Sequence, residues 1–436
     1  MTTDIHGSAS SHPAGAGLAP SRTVLANGVT VIAKHARTIP AVTINLTVRA
    51  GSVTDPVDAA GAVHLLSRTI DRGTATRTAA DIAEDFDGRG ITLTTNVTRH
   101  LLSLVCTCLS EDFAAVFSLL GDIVMSPSFP DVELAARKVE VATSIRQDED
   151  NPGVRAVESL MALLYPAGHP YGRRSKGTVD TVERLTREHL LRLHRERFAP
   201  GEASVVIVGD VFAARASEVA AQVFEPWHAK PLPPIPLAPA APSARRQRLV
   251  IPMRNKAQAD VAYGFVTIPR ANPAYHAFLL MNNVLGQYSM GGRLGDSIRE
   301  RQGMAYYVFS TFDANLAAGP LMIRAGISPA NVDRAVGSID EEIGRLGRDG
   351  VTAKELKESQ QYLIGSMPRA LETNAGIASF LQSAEFFGLG LDYDLRLPDL
   401  LRRVTQDDVH EAARRVLDPE RATIVIAGPY EDRAAE

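Results

Sequence analysis

The second half of this chain repeats the first. LTREHLLRLHRERFAPGEASVVIVG at residues 185–209 is matched by VTQDDVHEAARRVLDPERATIVIAG at residues 404–428. Thr186 and Thr405, Pro200 and Pro419, and Gly209 and Gly428 all stand 219 positions apart. Each segment opens on an apolar residue and a Thr suited to N-cap a helix. It then runs through an amphipathic helix to a Pro break and ends in a β-rich run closed by Gly. A second echo lies upstream, where SEDFAAVFSLLGDIV and DVELAARKVEVA resemble SPANVDRAVGSIDEEI and TAKELKESQQYL, two helices and a short turn in each case. Strand-like runs such as VTINLTVRAG, ITLTTNVTRHLLSLVCTCL, VAYGFVTIP and GPLMIRAGI precede these helices, with period-2 alternation in places. A chain duplicated at this scale folds as two copies of one architecture. The expected fold class is α+β, with two homologous domains, each an antiparallel sheet backed by helices.

The proline-rich run AKPLPPIPLAPAAPS at 229–243 cannot sustain a helix or a ladder and cuts the chain nearly in half. The expected organisation is a disordered leader over 1–20, a first domain over 21–228, a linker over 229–245 acting as a hinge, and a second domain over 246–436. The leader has no Lys or Arg and no apolar core of secretory length, so it reads as neither a signal nor a transit peptide, and a cytoplasmic protein is expected. No uncharged apolar run approaches a membrane span. A formal charge of −4 offers no basic field, which argues against nucleic acid or anionic lipid as a partner. The two cysteines, Cys106 and Cys108, fall on one face of a strand. They read as buried free thiols, with a metal or redox pair as the alternative, and they allow no disulfide framework.

The run AGAVHLLSRTIDRGT (60–74), the turn Gly168-His169-Pro170-Tyr171-Gly172, the strand VVIVGD and the segment RLGDSIRERQGMAYYVFS (293–310) form an ordered series. Over residues 21–430 this series resembles the pitrilysin/insulinase family of zinc metallopeptidases. The family's signature at the first of these runs is a helix carrying His-x-x-Glu-His. Histidines four apart share a helix face and so reach one zinc ion, a distal Glu completes the site, and the internal Glu is the base. Here the motif reads His64-Leu65-Leu66-Ser67-Arg68. The resemblance therefore places Ser67 where the base belongs, Arg68 in place of the second ligand, and Ser144 at the distal position. A hydroxyl does not shuttle protons at neutral pH, and a permanent cation repels Zn²⁺. His64 is left alone on an apolar helix and reads as a hydrogen-bonded core histidine. A metal site borrowing His100 or His35 is the alternative, and Glu140 is a nearby carboxylate that a gapped alignment could promote to a ligand.

In the second half, a helix pattern from Tyr275 to Leu285 leads into a loop with Gly286, Gly291 and Gly292. The loop reads equally as a helix-to-helix turn or as a segment able to approach a substrate backbone. A helix over 293–303 with a C-capping Gly303 and a strand over 304–309 follow. The resemblance implies that Arg299 and Tyr306, seven positions apart, hold the substrate carbonyl and its developing charge at a zinc site. Taken without it, Arg299 is a solvated helix residue and Tyr306 is strand packing. Asn96, in Thr95-Asn96-Val97-Thr98, resembles the family's edge-strand seat for an extended peptide.

These implications converge on a zinc-less, non-catalytic subunit of a heterodimeric zinc endopeptidase, similar in role to the alpha subunit of the mitochondrial processing peptidase. It is expected to be inactive alone and to carry no cofactor. A zinc-bearing paralogous subunit is the expected partner, and an extended, unstructured peptide the expected substrate. The alternative is a purely structural scaffold subunit derived from a peptidase.

Overall fold

The computed structural model describes residues 17–230, 233–287 and 292–431. Eleven strands are named here in chain order. The first half holds β1 (Ser21–Val24), β2 (Thr30–His35), β3 (Ala41–Val48), β4 (Thr94–Val97), β5 (Leu102–Leu109) and β6 (Ala203–Gly209). The second half holds β7 (Gln247–Pro252), β8 (Ala259–Val266), β9 (Ala305–Phe312), β10 (Pro320–Ile327) and β11 (Thr423–Gly428). They form two sheets, ordered β1-β2-β6-β3-β5-β4 and β7-β11-β8-β10-β9. With β1 set aside, the two orders are the same. The repeat read from the sequence is thus a repeat of topology. The echoing segments form paired helices in both halves, Phe113–Met125 with Asp131–Glu149 and Val332–Asp349 with Ala353–Ala370.

The sheets are mixed rather than purely antiparallel. The first pairs β2 with β6 in parallel, and the second pairs β7 with β11 in parallel. In each half a long excursion of three strands and several helices separates the two parallel strands, which a parallel connection allows. Thr186 and Thr405 do cap their helices, accepting hydrogen bonds from the backbone of His189 and Asp408.

Strands β8 and β11 are buried along their whole length, and β6 nearly so. A strand that is buried at every position must be covered on both faces. One face of each sheet packs on its own helices. The other is covered by a helix from the opposite half. Pro152–Leu164 of the first half lies on β8 and β11, and Asn374–Phe386 of the second half lies on β3 and β6. In the first contact Ala156, Leu160, Met161 and Leu164 join Ala262, Val266, Val425 and Ala427 in one cluster. In the second, Ile377, Ala378 and Leu381 meet Ile32, Val206 and Val208. Gly264 makes the first contact possible, since a Cβ there would stand 2.9 Å from a Leu160 methyl. The halves are interlocked by this reciprocal exchange.

That exchange overturns the expected hinge. The described part of the proline-rich segment forms no helix or strand, as its composition requires. It is nevertheless tied down: Leu237 and Ala240 pack against the shared cluster, and the His169 Nε2–H donates to the Ala238 carbonyl at 3.0 Å. Of the disordered leader expected over 1–20, residues 1–16 lie outside the described residues. Residues 17–20 are placed, and Leu18 donates its N–H to Asp394 at 2.7 Å while its side chain joins the Leu381 cluster. Among the described residues no helix is long and apolar enough to cross a membrane.

Two imidazoles near these interlocked contacts are held neutral. His100 stands 2.6 Å from the Tyr171 hydroxyl, and burial, then Arg99, pushes its pKa down to about 4 against a pull from Asp313. His276, beside Tyr393, is pushed down to about 4 by burial and then Arg270. Between pH 6.5 and about 4 the unfolded chain therefore binds more protons at these sites than the folded one, so they lower stability as pH falls through that window. Asp55 pulls the other way, since burial lifts its pKa to about 6. Burial lowers His64, His169 and His194 in the same sense and raises Asp71 and Glu158 in the opposite one. With these five imidazoles against three carboxyls, the melting temperature should fall between about pH 7 and pH 5, and His100→Gln with His276→Gln should reduce the slope. A flat thermal profile in the wild type would contradict this account.

Candidate functional site

The first half of the site is built on helix Ala62–Thr69. Its N-terminus is fixed by Asp55, whose carboxylate accepts from the N–H of Gly61 at 2.9 Å and of Val63 at 2.8 Å. Gly61 has φ +91°, and a Cβ there would lie 2.3 Å from the Lys176 carbonyl oxygen. The loop around Lys176 is thus laid directly against the start of the helix, and Arg173 anchors it by donating to the Asp55 carbonyl at 2.9 Å.

His64 is half-buried, not a core residue, and among the described residues its ring takes no hydrogen-bond partner; the expected hydrogen-bonded core histidine is corrected on both counts. Its pKa is pushed down to about 4 by burial, then by Lys176 and Arg68, against a weaker pull from Asp148. The Ser67 hydroxyl is spent locally, donating to the His64 carbonyl at 2.7 Å. Arg68 is exposed and lies 3.8 Å from Glu140, which also pairs with Arg137 at 2.7 Å. Ser144 accepts a hydrogen bond from the Lys176 ammonium at 2.8 Å, and that ammonium also reaches Asp148 at 2.6 Å.

His64, Ser67, Arg68 and Ser144 therefore do belong to one neighbourhood. It offers one imidazole, two hydroxyls and two cations, with the Glu140 and Asp148 carboxylates already paired to those cations, a set that does not fit a zinc ion. The alternatives fare no better. His35 sits by Asp210 at 3.5 Å with its ring tilted against Phe212, and His100 is engaged with Tyr171. Among the described residues no group of three or more His, Cys, Asp or Glu converges. Cys106 and Cys108 are buried on β5, their pKa values pushed up to about 12 and about 11 by burial, which leaves them inert thiols.

The second half of the site rests on two local irregularities. Gly295–Arg301 is a wide, π-type helix rather than an α-helix, and such turns cluster at functional sites. Gly303, at φ +61°, ends it: its N–H donates to the Arg299 carbonyl at 3.0 Å, and the Met304 N–H donates to Ile298 at 3.1 Å. The chain then enters β9, the outermost strand of its sheet. There Tyr307 pairs with Gly326 and Ala305 with Ile327, which leaves Tyr306 as the extra residue of a β-bulge. A bulge re-aims a side chain out of the alternating pattern. Tyr306 is accordingly 84% exposed, and among the described residues its hydroxyl takes no hydrogen bond. The reading of Tyr306 as strand packing is excluded. Arg299, at the end of the π-type helix, is part-exposed, with Glu300 at 3.6 Å.

Gly286 and Gly292 are buried, and a Cβ on Gly292 would stand 2.7 Å from the Gly286 Cα. Their lack of side chains lets the two backbones approach closely, which suits either reading of the segment; Gly291 lies outside the described residues. Asn96 is exposed on β4, the outermost strand of the first sheet and the counterpart of β9. Sequence reasoning missed Lys176 and the bulge at Tyr306. A lysine before Gly177 carries no spacing signal, and a bulge is visible only once two strands are in register.

A duplicated sheet-and-helix fold with the remains of a metal-binding helix in one half and an Arg/Tyr pair in the other defines a two-module peptidase scaffold. The chain belongs to the M16 (insulinase) peptidase family: residues 30–173 match the insulinase family (peptidase family M16), and residues 184–363 match the peptidase M16 inactive domain. An uncharacterized zinc protease of Streptomyces coelicolor is 26% identical over 423 residues, spanning 95% of this chain and 90% of that protein. A peptidase M16 inactive-domain protein of Pseudomonas fluorescens superposes with a TM-score of 0.86 at 28% identity, covering 94% of this chain and 98% of that one. A Helicobacter pylori protease shares the fold, with a TM-score of 0.86 at 17% identity over 94% of this chain and 99% of that one.

Proposed function

We propose that this chain is the zinc-less subunit of a heterodimeric M16 endopeptidase that acts on unstructured peptides. Its partner is a paralogue with an intact His-x-x-Glu-His helix. The zinc belongs to that partner and supplies the activated water. This chain contributes Arg299 and Tyr306, a fixed guanidinium and a directed phenol donor for the charge that builds on the scissile carbonyl oxygen.

The observation that carries this reading is the bulged, unpartnered Tyr306 beside the Arg299 turn. A β-bulge and a π-type turn are both departures from regular backbone. Together they hold a large aromatic in water, which a packing role does not require. The exposed edge strand β4, with Asn96, suits the addition of an extended peptide as a further strand, giving affinity through the backbone.

Co-expression with a paralogue of intact motif from the same genome tests the proposal. The expected result is one 1:1 species in size-exclusion chromatography that cleaves an unstructured peptide, while this chain alone cleaves none. Separate elution at micromolar concentration sinks the shared-site reading. A 1:1 complex whose cleavage equals that of the paralogue alone assigns the chain to scaffolding.

A further inference from the structure

The pocket where the family places its metal is not merely stripped of ligands. Lys176 reaches it from the loop that follows the 152–164 helix. The reach is dictated by backbone contacts at both flanks. Gly61 has no room for a Cβ against the Lys176 carbonyl, and Gly177, at φ +74°, would put a Cβ 2.2 Å from the Ala60 carbonyl oxygen. Thr181 adds a hydrogen bond to the same Ala60 oxygen at 2.8 Å. Position 176 is thus seated at the start of the 62–69 helix that carries His64.

The ammonium there is saturated by the 131–149 helix, with Ser144 at 2.8 Å and Asp148 at 2.6 Å. Asp148 and Lys176 are each less than one-third exposed. A second cation–anion pair, Arg68 with Glu140, bridges the 62–69 and 131–149 helices directly and nearer the surface. Two positive charges and their counter-carboxylates therefore stand where a metal-binding member would gather carboxylate and imidazole around a divalent cation.

We infer that the Lys176 ammonium is the resident cation of the former metal site, tying the loop seated on the start of the 62–69 helix to the 131–149 helix and barring a divalent ion even when the lost ligands are restored. A divalent ion arriving there would meet an ammonium already holding the acceptors on the 131–149 helix, and like charges at close range repel strongly in a half-buried site. The inference rests on the family assignment alone and not on a shared active site, so either can fail without the other.

The test compares two variants of the full chain, each loaded with Zn²⁺ and dialysed before elemental analysis. The first restores the ligand set beside His64 with Arg68→His and Ser144→Glu. The second adds Lys176→Met. Retention of about one zinc per chain in the second and none in the first is the expected result. Equal zinc content in the two, whether full or nil, overturns the inference. Lys176→Met alone provides a measurement that does not depend on the multiple variants folding. Asp148 then loses its partner, and the melting temperature should drop by about 2–4 °C. Melting identical to the wild type also overturns the inference.

Discussion

Tyr306→Phe and Arg299→Ala, each introduced into the reconstituted complex, should lower peptide turnover by about 10²–10³ while leaving assembly and zinc content unchanged. The size follows from what each group does. A donor aimed at the oxygen where charge develops acts in the transition state and hardly at all in the free enzyme. Tyr306→Phe removes one hydroxyl from a residue that is 84% exposed in the free chain, so its cost to folding is small. Arg299→Lys should fail as well, because an ammonium does not reproduce the planar fork of a guanidinium. The measurement is a cleavage assay on complexes whose stoichiometry is checked by size-exclusion chromatography. Full turnover in both Arg299→Ala and Tyr306→Phe complexes would make these side chains surface features with no part in the chemistry.

Leu160→Ala should destabilise the chain by about 2–5 kcal/mol, and the loss should be felt in both halves at once. Leu160 belongs to the first half by sequence but is fully buried against Ala262, Val266 and Val425 of the second. The single tryptophan, Trp227, sits in the core of the first half and contributes nothing to that contact. Its fluorescence therefore reports whether a cavity on the second sheet weakens the first half. In urea, the Trp227 transition and the far-UV circular dichroism transition should coincide and shift together. A Trp227 midpoint that stays in place while the dichroism midpoint falls would show two halves that unfold separately, against the interlocking.

Much of the fold was legible in the residues. The 219-residue offset announced two copies of one unit, and the Thr caps, Pro breaks and terminal glycines marked matching helices and strands. What covers the second face of each sheet was not legible. The continuous apolar runs of β6, β8 and β11 demand a cover on both sides, yet the 152–164 and 374–386 helices are apolar on one stripe and would pack on any flat apolar surface. The hinge at the proline-rich segment was misread for the same reason, since composition describes local stiffness and says nothing about the halves being locked elsewhere.

For the site, the sequence by itself determined what is missing. Ser67 and Arg68 stand in one helical turn with His64, and the chemistry of a hydroxyl and a guanidinium rules out the metal-binding set whatever the tertiary structure. Only the tertiary structure decided what took its place. Lys176 comes from a loop more than a hundred positions downstream, delivered by the close approach of two glycine backbones, and no spacing rule spans that distance. Likewise the sequence placed Arg299 and Tyr306 seven apart, but whether Tyr306 faces the core or water depends on pairing with β10. Side chains in a strand alternate, so one extra residue in the register turns a packing residue outward, and that residue is fixed only when the two strands meet.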